Sequence, residues 1–299
     1  MTVLATLAPI IAAVILGAIA AKIIPTRLAH RLIAAVGPLV WVLLFLIGRD
    51  FGDVLANAGA LGKALRSAAW FTLFSTLIPA ALIAWFFDHQ EPKQRPRSAV
   101  SISRLWPPLR SCFLALLMVA LGALTHLLPF DELPLPSINA VLLLMVFLVG
   151  IDLYHLGLKI HHFHPRIFLL PLSIIIGALI GGLITAWWID MPIRQALALV
   201  SGFGWFTLSS VMVGEQLGTF YGTTALLIDL TRELLGIVLL YLLGVRYGYM
   251  AMSVSGAGAM DTVLPIVKQA CGAEKVPQAL ASGILLSLLA PVFLSLFLA

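Results

Sequence analysis

A chain of 299 residues with 61% hydrophobic and 10% charged side chains and a mean hydropathy of +1.08 has far too little polar surface to cover a water-soluble globule of that size. The composition defines an all-α polytopic membrane protein, and no nucleic-acid partner is expected. The net charge of +5 sits mainly in short segments between apolar runs, where it carries topological information.

Runs of about 20 apolar residues, the length that crosses a bilayer as helix, are predicted at 3–24, 32–49, 65–87, 110–128, 138–158, 167–189, 220–245 and 277–298. The first lacks the basic leader and A-x-A-like cleavage site of a signal peptide and reads as a retained helix. Lys22, Arg27, His30 and Arg31 follow the first helix; Lys93, Arg95, Arg97, Arg104 and Arg110 follow the third; Lys159, His161, His162, His164 and Arg166 follow the fifth. Asp131 and Glu132 follow the fourth. Basic short loops stay in the cytoplasm, so the odd-numbered helices are expected to end there and the N-terminus to lie outside. The Pro-rich basic linker 91–108 is then expected near anionic headgroups.

Two further apolar stretches, about 194–215 and 250–270, are interrupted by glycine. If each enters and leaves on one face, Arg246, Lys268 and Lys275 all remain cytoplasmic and the last helix ends outside. The expected architecture is therefore about eight transmembrane helices plus two Gly-broken re-entrant segments, with both termini outside.

Internal repeats refine it. FLIGRD at 45–50 recurs as FLVGID at 147–152, Pro25 is echoed by Pro129 and Trp85 by Trp187. Three helices per unit invert the second copy, so 1–190 is read as an N-terminal membrane region of two inverted three-helix units. A second repeat lies in 191–299: Ser201-Gly202-Phe203-Gly204-Trp205-Phe206-Thr207 aligns with Ser255-Gly256-Ala257-Gly258-Ala259-Met260-Asp261. Glycines unwind a helix cheaply, and the freed backbone groups are tolerated at membrane depth only where they are buried in protein or line a cavity. Inverted repeats with broken helices meeting near the midplane are a transporter's arrangement, which makes 191–299 a candidate transport core. Ser201, Gly202, Gly204, Thr207, Ser255, Gly256 and Gly258 are its candidate backbone site.

Ionisable residues inside apolar segments are costly and mark function. Asp229, Arg232 and Glu233 share one predicted helix at spacings of three and four, and Asp261 follows the second glycine segment. Three carboxylates against one guanidinium leave a formal charge of −2, which calls for protons or a cationic substrate. Asp50 and Asp152 each end an F-L-[IV]-G run, where an interfacial carboxylate is cheap, and are secondary candidates. Cys112 and Cys271 have no framework spacing and indicate no redox role. The loop histidines at 161, 162 and 164 lack an i, i+4 pair on an established helix, so neither a metal site nor any other cofactor is expected.

The runs ALALVSGFGWFTLSSVMVGEQLG, IDLTRELLGIVLL and SGAGAMDTVLPIV, with the tail ILLSLLAPVFLSLFLA, resemble the bacterial L-lysine exporters of the LysO type, most strongly over about 140–299. That resemblance implies a secondary transporter in the bacterial inner membrane that exports L-lysine and its analogue thialysine. It also implies that Glu233 and Asp261 take part in translocation. Protons are the expected coupling ion. A sodium/proton-type exchanger, or an exporter of another small cationic or organic solute, is the rival reading. An intramembrane aspartyl protease is not expected, because Gly258 is followed by Ala259-Met260-Asp261 rather than directly by aspartate.

Overall fold

The computed structural model describes residues 3–89, 106–126, 135–155 and 166–299. Most of the basic linker, Pro129, the acidic residues 131 and 132 and the histidines at 161, 162 and 164 lie outside the described residues. Apolar sequence with few internal breakers folds into α1 (Val3–Ile23), α2 (Thr26–Ala34), α3 (Val36–Asp50), α4 (Gly52–Ala56), α5 (Ala58–Ile83), α6 (Trp106–His126), α7 (Ile138–His155) and α8 (Arg166–Ile189). Then follow α9 (Ile193–Val200), α10 (Phe206–Leu217), α11 (Thr219–Leu243), α12 (Gly248–Ser255), α13 (Leu264–Ala270) and α14 (Val276–Leu298). A π turn, Ala84–Asp88, extends α5, and Asn57 caps its start by accepting the N–H groups of Gly59 and Ala60.

Among the described residues five spans, Thr26–Asp50, Ala58–Asp88, Ile138–His155, Phe168–Ile189 and Ala273–Leu298, are long and apolar enough to cross a membrane. Ala8–Ile23 and Leu109–Thr125 are apolar but shorter. The remaining long helix, α11, matches the run expected at 220–245, and its length fits a crossing although it carries Asp229, Arg232 and Glu233 in its middle. Large apolar side chains such as Ile15, Leu172, Ile176 and Leu183 face outward, as lipid contact requires, and Trp85 and Trp187 stand exposed near helix ends like interfacial anchors.

The first helix of each three-helix unit packs on the second helix of the other. Gly17 of α1 meets Phe147 and Gly150 of α7, and Gly48 of α3 meets Val119 of α6, whose Gly122 meets Phe45. A Cβ at any of these four glycines would strike backbone, so each crossing is a small-residue contact of the kind that lets membrane helices approach closely. The third helices, α5 and α8, pack antiparallel on each other, with Gly177 on Pro79, Gly181 on Phe74 and Trp188 beside Trp70. Together they lie against the residues that follow 190.

Both glycine-broken stretches turn back within the bundle. The alternation of α7 and α8 brings Ile193 to the Asp50 end, and the chain is back at that end by Leu217. There Phe51 sits between Gly214 and Gly222, and Glu215 lies beside Asn139 and Asp50. Helix α11 then runs to the His155 end. From it α12 enters and α13 returns, so that Cys271 Sγ donates to the Gly248 carbonyl at 3.8 Å and Lys275 Nζ stands 3.8 Å over the Tyr249 ring. Two helical hairpins thus enter from opposite ends and meet in the middle, with α1 beginning and α14 ending toward the Asp50 end.

Candidate functional site

The hairpin tips carry the backbone irregularity that the glycines allow. Phe203 has φ +49° and Gly204 φ +98° in the first tip, and Gly256 has φ +58° in the second. The tips touch directly: Ala257 N–H donates to the Phe203 carbonyl at 2.8 Å. Non-glycine residues held at positive φ are strained, and such strain concentrates at working sites.

Helix α11 crosses behind this junction and holds each tip with a side chain of matching sign. Asp229, 1% exposed, accepts the Gly204 N–H at 2.9 Å and the Ser209 hydroxyl at 2.6 Å, close to the positive N-terminal end of α10. Arg232, also 1% exposed, donates from Nε to the Val254 carbonyl at 2.9 Å and from Nη2 to that of Ser253 at 3.4 Å, at the negative C-terminal end of α12. Next to Arg232 and one turn beyond Asp229 on α11, Glu233 accepts the hydroxyl of Thr262, just past the second tip.

A cavity of about 470 Å³ opens in front of the tips, within the range of small-molecule sites. Its wall is apolar along α3 and α7, through Val36, Val40, Trp41, Leu44, Met145 and Val149, and Ser111, Cys112 and Ala115 of α6 border it. Gly204 to Thr207 and Ala257 to Thr262, apart from Ala259, form its floor. Phe206 and Thr207 begin α10, so their N–H groups have no carbonyl a turn earlier to bind. Glu233, Asp261 and Asp152 supply three carboxylates, whereas no Lys, Arg or His is among the described residues lining the cavity.

The structure therefore divides the sequence candidates. Glu233, Asp261, Gly204, Thr207, Gly258 and Asp152 share the cavity, while Asp229 and Arg232 lie behind the tips as their anchors. Gly202 lets Asp229 and Ser209 approach, since a Cβ there would strike both. The Ser201 hydroxyl donates to its own helix at Leu197, and the Ser255 side chain packs against Gly236. Asp50 stands at the opposite end, beside Glu215.

Sequence reading missed Ser209, Thr262 and Asp88. The first two hold carboxylates but carry no pattern apart from their closeness to the repeat. Asp88 ends the π turn after α5 and accepts the N–H groups of Tyr249 at 3.0 Å and Met250 at 2.8 Å, capping α12. Asp88→Ala is expected to remove about 0.5–2 kcal/mol of stability, seen as a lower melting temperature in detergent. In Asp88→Ala, Cys271, which bonds to the first residue of α12, is expected to react faster with thiol reagents than in the parent protein, both carrying Cys112→Ser so that Cys271 alone is labelled.

An acidic cavity at the meeting of two inverted helical hairpins defines a membrane transporter of the broken-helix class. The sequence comparisons agree. A family model described as lysine exporter LysO matches residues 112–298, more than half of the chain. The chain is 33% identical over 269 residues to the lysine exporter LysO of Escherichia coli (strain K12), covering 87% of this chain and 88% of that protein. It is 36% identical over 159 residues to a putative lysine exporter of Haemophilus influenzae (strain ATCC 51907 / DSM 11121 / KW20 / Rd), covering 52% of this chain and 82% of that one. The chain belongs to the LysO lysine exporter family, a family of transporters rather than enzymes.

Proposed function

We propose that this protein exports L-lysine, and the analogue thialysine, from the bacterial cytoplasm in exchange for protons. The observation that carries the reading is the cavity's charge: three carboxylates, with no cation among the described lining residues, suit a substrate bearing two ammonium groups. Its apolar wall suits a methylene stem, and the N-terminus of α10 suits the α-carboxylate. The transport core is proposed over 191–299, with α5 and α8 of the N-terminal region packed on it and α1, α3, α6 and α7 as a surrounding frame. Lys22, Arg27, Arg31, Arg110, Arg246, Lys268 and Lys275 lie toward the His155 end, which supports a cytoplasmic assignment of that end and outside positions for both termini. The cavity, bordered by the His155 halves of α6 and α7, then faces inward.

Energetics favour a coupled mechanism. Moving a monocation outward against an interior-negative potential costs about 2.3 kcal/mol per 100 mV, so sustained export needs a second gradient. Glu233 and Asp261 serve as the exchange site, binding protons or substrate ammonium in turn.

Efflux of preloaded lysine from proteoliposomes with an imposed pH gradient tests this. Gradient-driven efflux is expected from the wild type. Glu233→Gln and Asp261→Asn should each insert normally and lose about tenfold to a hundredfold in rate, in line with about 1.5–3 kcal/mol for a hydrogen bond to a charged group. Near-normal efflux by both variants would sink the exchange-site assignment. Wild-type protein that is folded, moves no lysine and instead exchanges sodium for protons would be an ion exchanger.

A further inference from the structure

The cavity lies between two groups of helices, and its carboxylates come from both. Glu233 belongs to α11 and Asp261 to the second tip. Asp152 belongs to α7, which packs mainly on α1 and α3 and meets the hairpins through α10 alone in any number. The cavity-lining residues of α7 are Met145, Val149, Asp152 and Leu153, a single helical stripe that continues from apolar wall to carboxylate. Asp152 stands with Leu153 at the His155 end of the stripe and lies near enough to Asp261 for the two charges to repel. His155, one turn further on, has its Nδ1 at 3.0 Å from the Ile151 carbonyl. Across the cavity, α3 and α6 present Gly37, Val40, Trp41, Ser111 and Cys112 to this space, none of them a cation.

Resting on the export reading above, we propose that Asp152 is the third carboxylate of the substrate site. Together with Asp261 it receives the side-chain ammonium of a dibasic amino acid and so selects such substrates over neutral ones of equal length. Two facing carboxylates on separate helix groups repel across a partly dry gap. An ammonium placed between them turns that repulsion into two attractions, and a neutral side chain does not. Discrimination thus comes largely from the penalty a wrong substrate leaves in place. The stem runs along the apolar wall, and the amino acid's α-carboxylate stays at the first turn of α10, where Phe206 and Thr207 offer free N–H groups.

The test uses full-length protein in proteoliposomes, with labelled L-lysine as the transported probe and L-norleucine, which has the stem without its terminal ammonium, as competitor. Asp152→Asn is expected to raise the KM for lysine about tenfold, the effect of losing one charged contact. It should narrow the preference for lysine over norleucine by a similar factor while changing the maximal rate less. Asp152→Glu is expected to restore much of the preference. Asp152→Ser is judged by the same criteria if Asp152→Asn fails to insert. Unchanged KM and preference in the neutral variant, alongside transport lost in Glu233→Gln, would overturn the role of Asp152 and leave lysine export standing. Wild-type protein that moves no lysine would overturn the export reading and this inference with it.

Discussion

Gly256→Ala is expected to abolish lysine export while leaving membrane insertion intact. Gly256 ends α12 at φ +58° and ψ −127°, a conformation open to glycine and costly for any residue with a side chain. The strain alone is worth about 1–3 kcal/mol. A Cβ at this position would also strike the Phe203 carbonyl and come within 3.2 Å of Arg232 Nε. The Phe203 carbonyl accepts the Ala257 N–H that joins the two tips, and Arg232 Nε holds the end of α12. One methyl group therefore presses on both the tip-to-tip bond and the anchor. The long helices that direct insertion are untouched, so a normal yield and chromatographic profile should accompany the loss of efflux. Gly218→Ala is the control: Gly218 has φ +96°, yet a Cβ there meets nothing within 4 Å. It should bear strain of the same order and keep export. Equal loss of export by both variants would assign the effect to general strain.

The all-α membrane class and the two broken stretches were legible because membrane physics leaves clear marks: apolar runs of bilayer length, glycines at depth and basic short loops. The re-entrant reading rested on keeping Arg246, Lys268 and Lys275 on one face, and contacts as distant in sequence as Phe51 with Gly222 and Asp88 with Tyr249 reach the same topology. Which carboxylate faces the cavity was less legible. Asp50 and Asp152 end the same F-L-[IV]-G run, and the sequence treats them alike. Inversion of the repeat sends one to the far end beside Glu215 and the other into the cavity. Asp229 and Glu233 also look equivalent, four residues apart on one helix. Because the hairpins approach α11 from opposite ends, a single turn decides whether a carboxylate meets Ser209 and Gly204 of the first tip or Thr262 beyond the second. No local pattern records a partner set by long-range docking.

Removing Arg232 is expected to be the most destabilising single change in the chain. Helix α12 ends at Ser255 in the middle of the bundle, where the chain tightens into a 3-10 turn, Gly256–Met260, and the Gly256 N–H reaches the Ser253 carbonyl, so the last α-helical carbonyls need other donors. Arg232 supplies donors to two of them, those of Ser253 and Val254, and its positive charge lies close to Asp229 one turn back on α11. Arg232→Ala takes the Nε donor from the Val254 carbonyl, at about 1–3 kcal/mol for an unsatisfied buried group, removes the second donor of the Ser253 carbonyl, which keeps the Gly256 N–H, and leaves Asp229 without the nearby guanidinium. A buried carboxylate that loses the attraction of a nearby guanidinium adds to that cost, and the sum should lower the yield of monodisperse protein in detergent. Arg232→Lys keeps the charge and loses the planar fork, so it should fold with a lower melting temperature and reduced export. The informative variant is Asp229→Asn in the Arg232→Ala background. An amide still accepts from Gly204 N–H or Ser209 but carries no charge, so the double variant should melt higher than Arg232→Ala alone. Such a positive coupling in the double-mutant cycle identifies the two residues as one electrostatic unit gripping both hairpins. Additive losses would instead show that Arg232 acts through the α12 carbonyls alone, with Asp229 serving only the first tip.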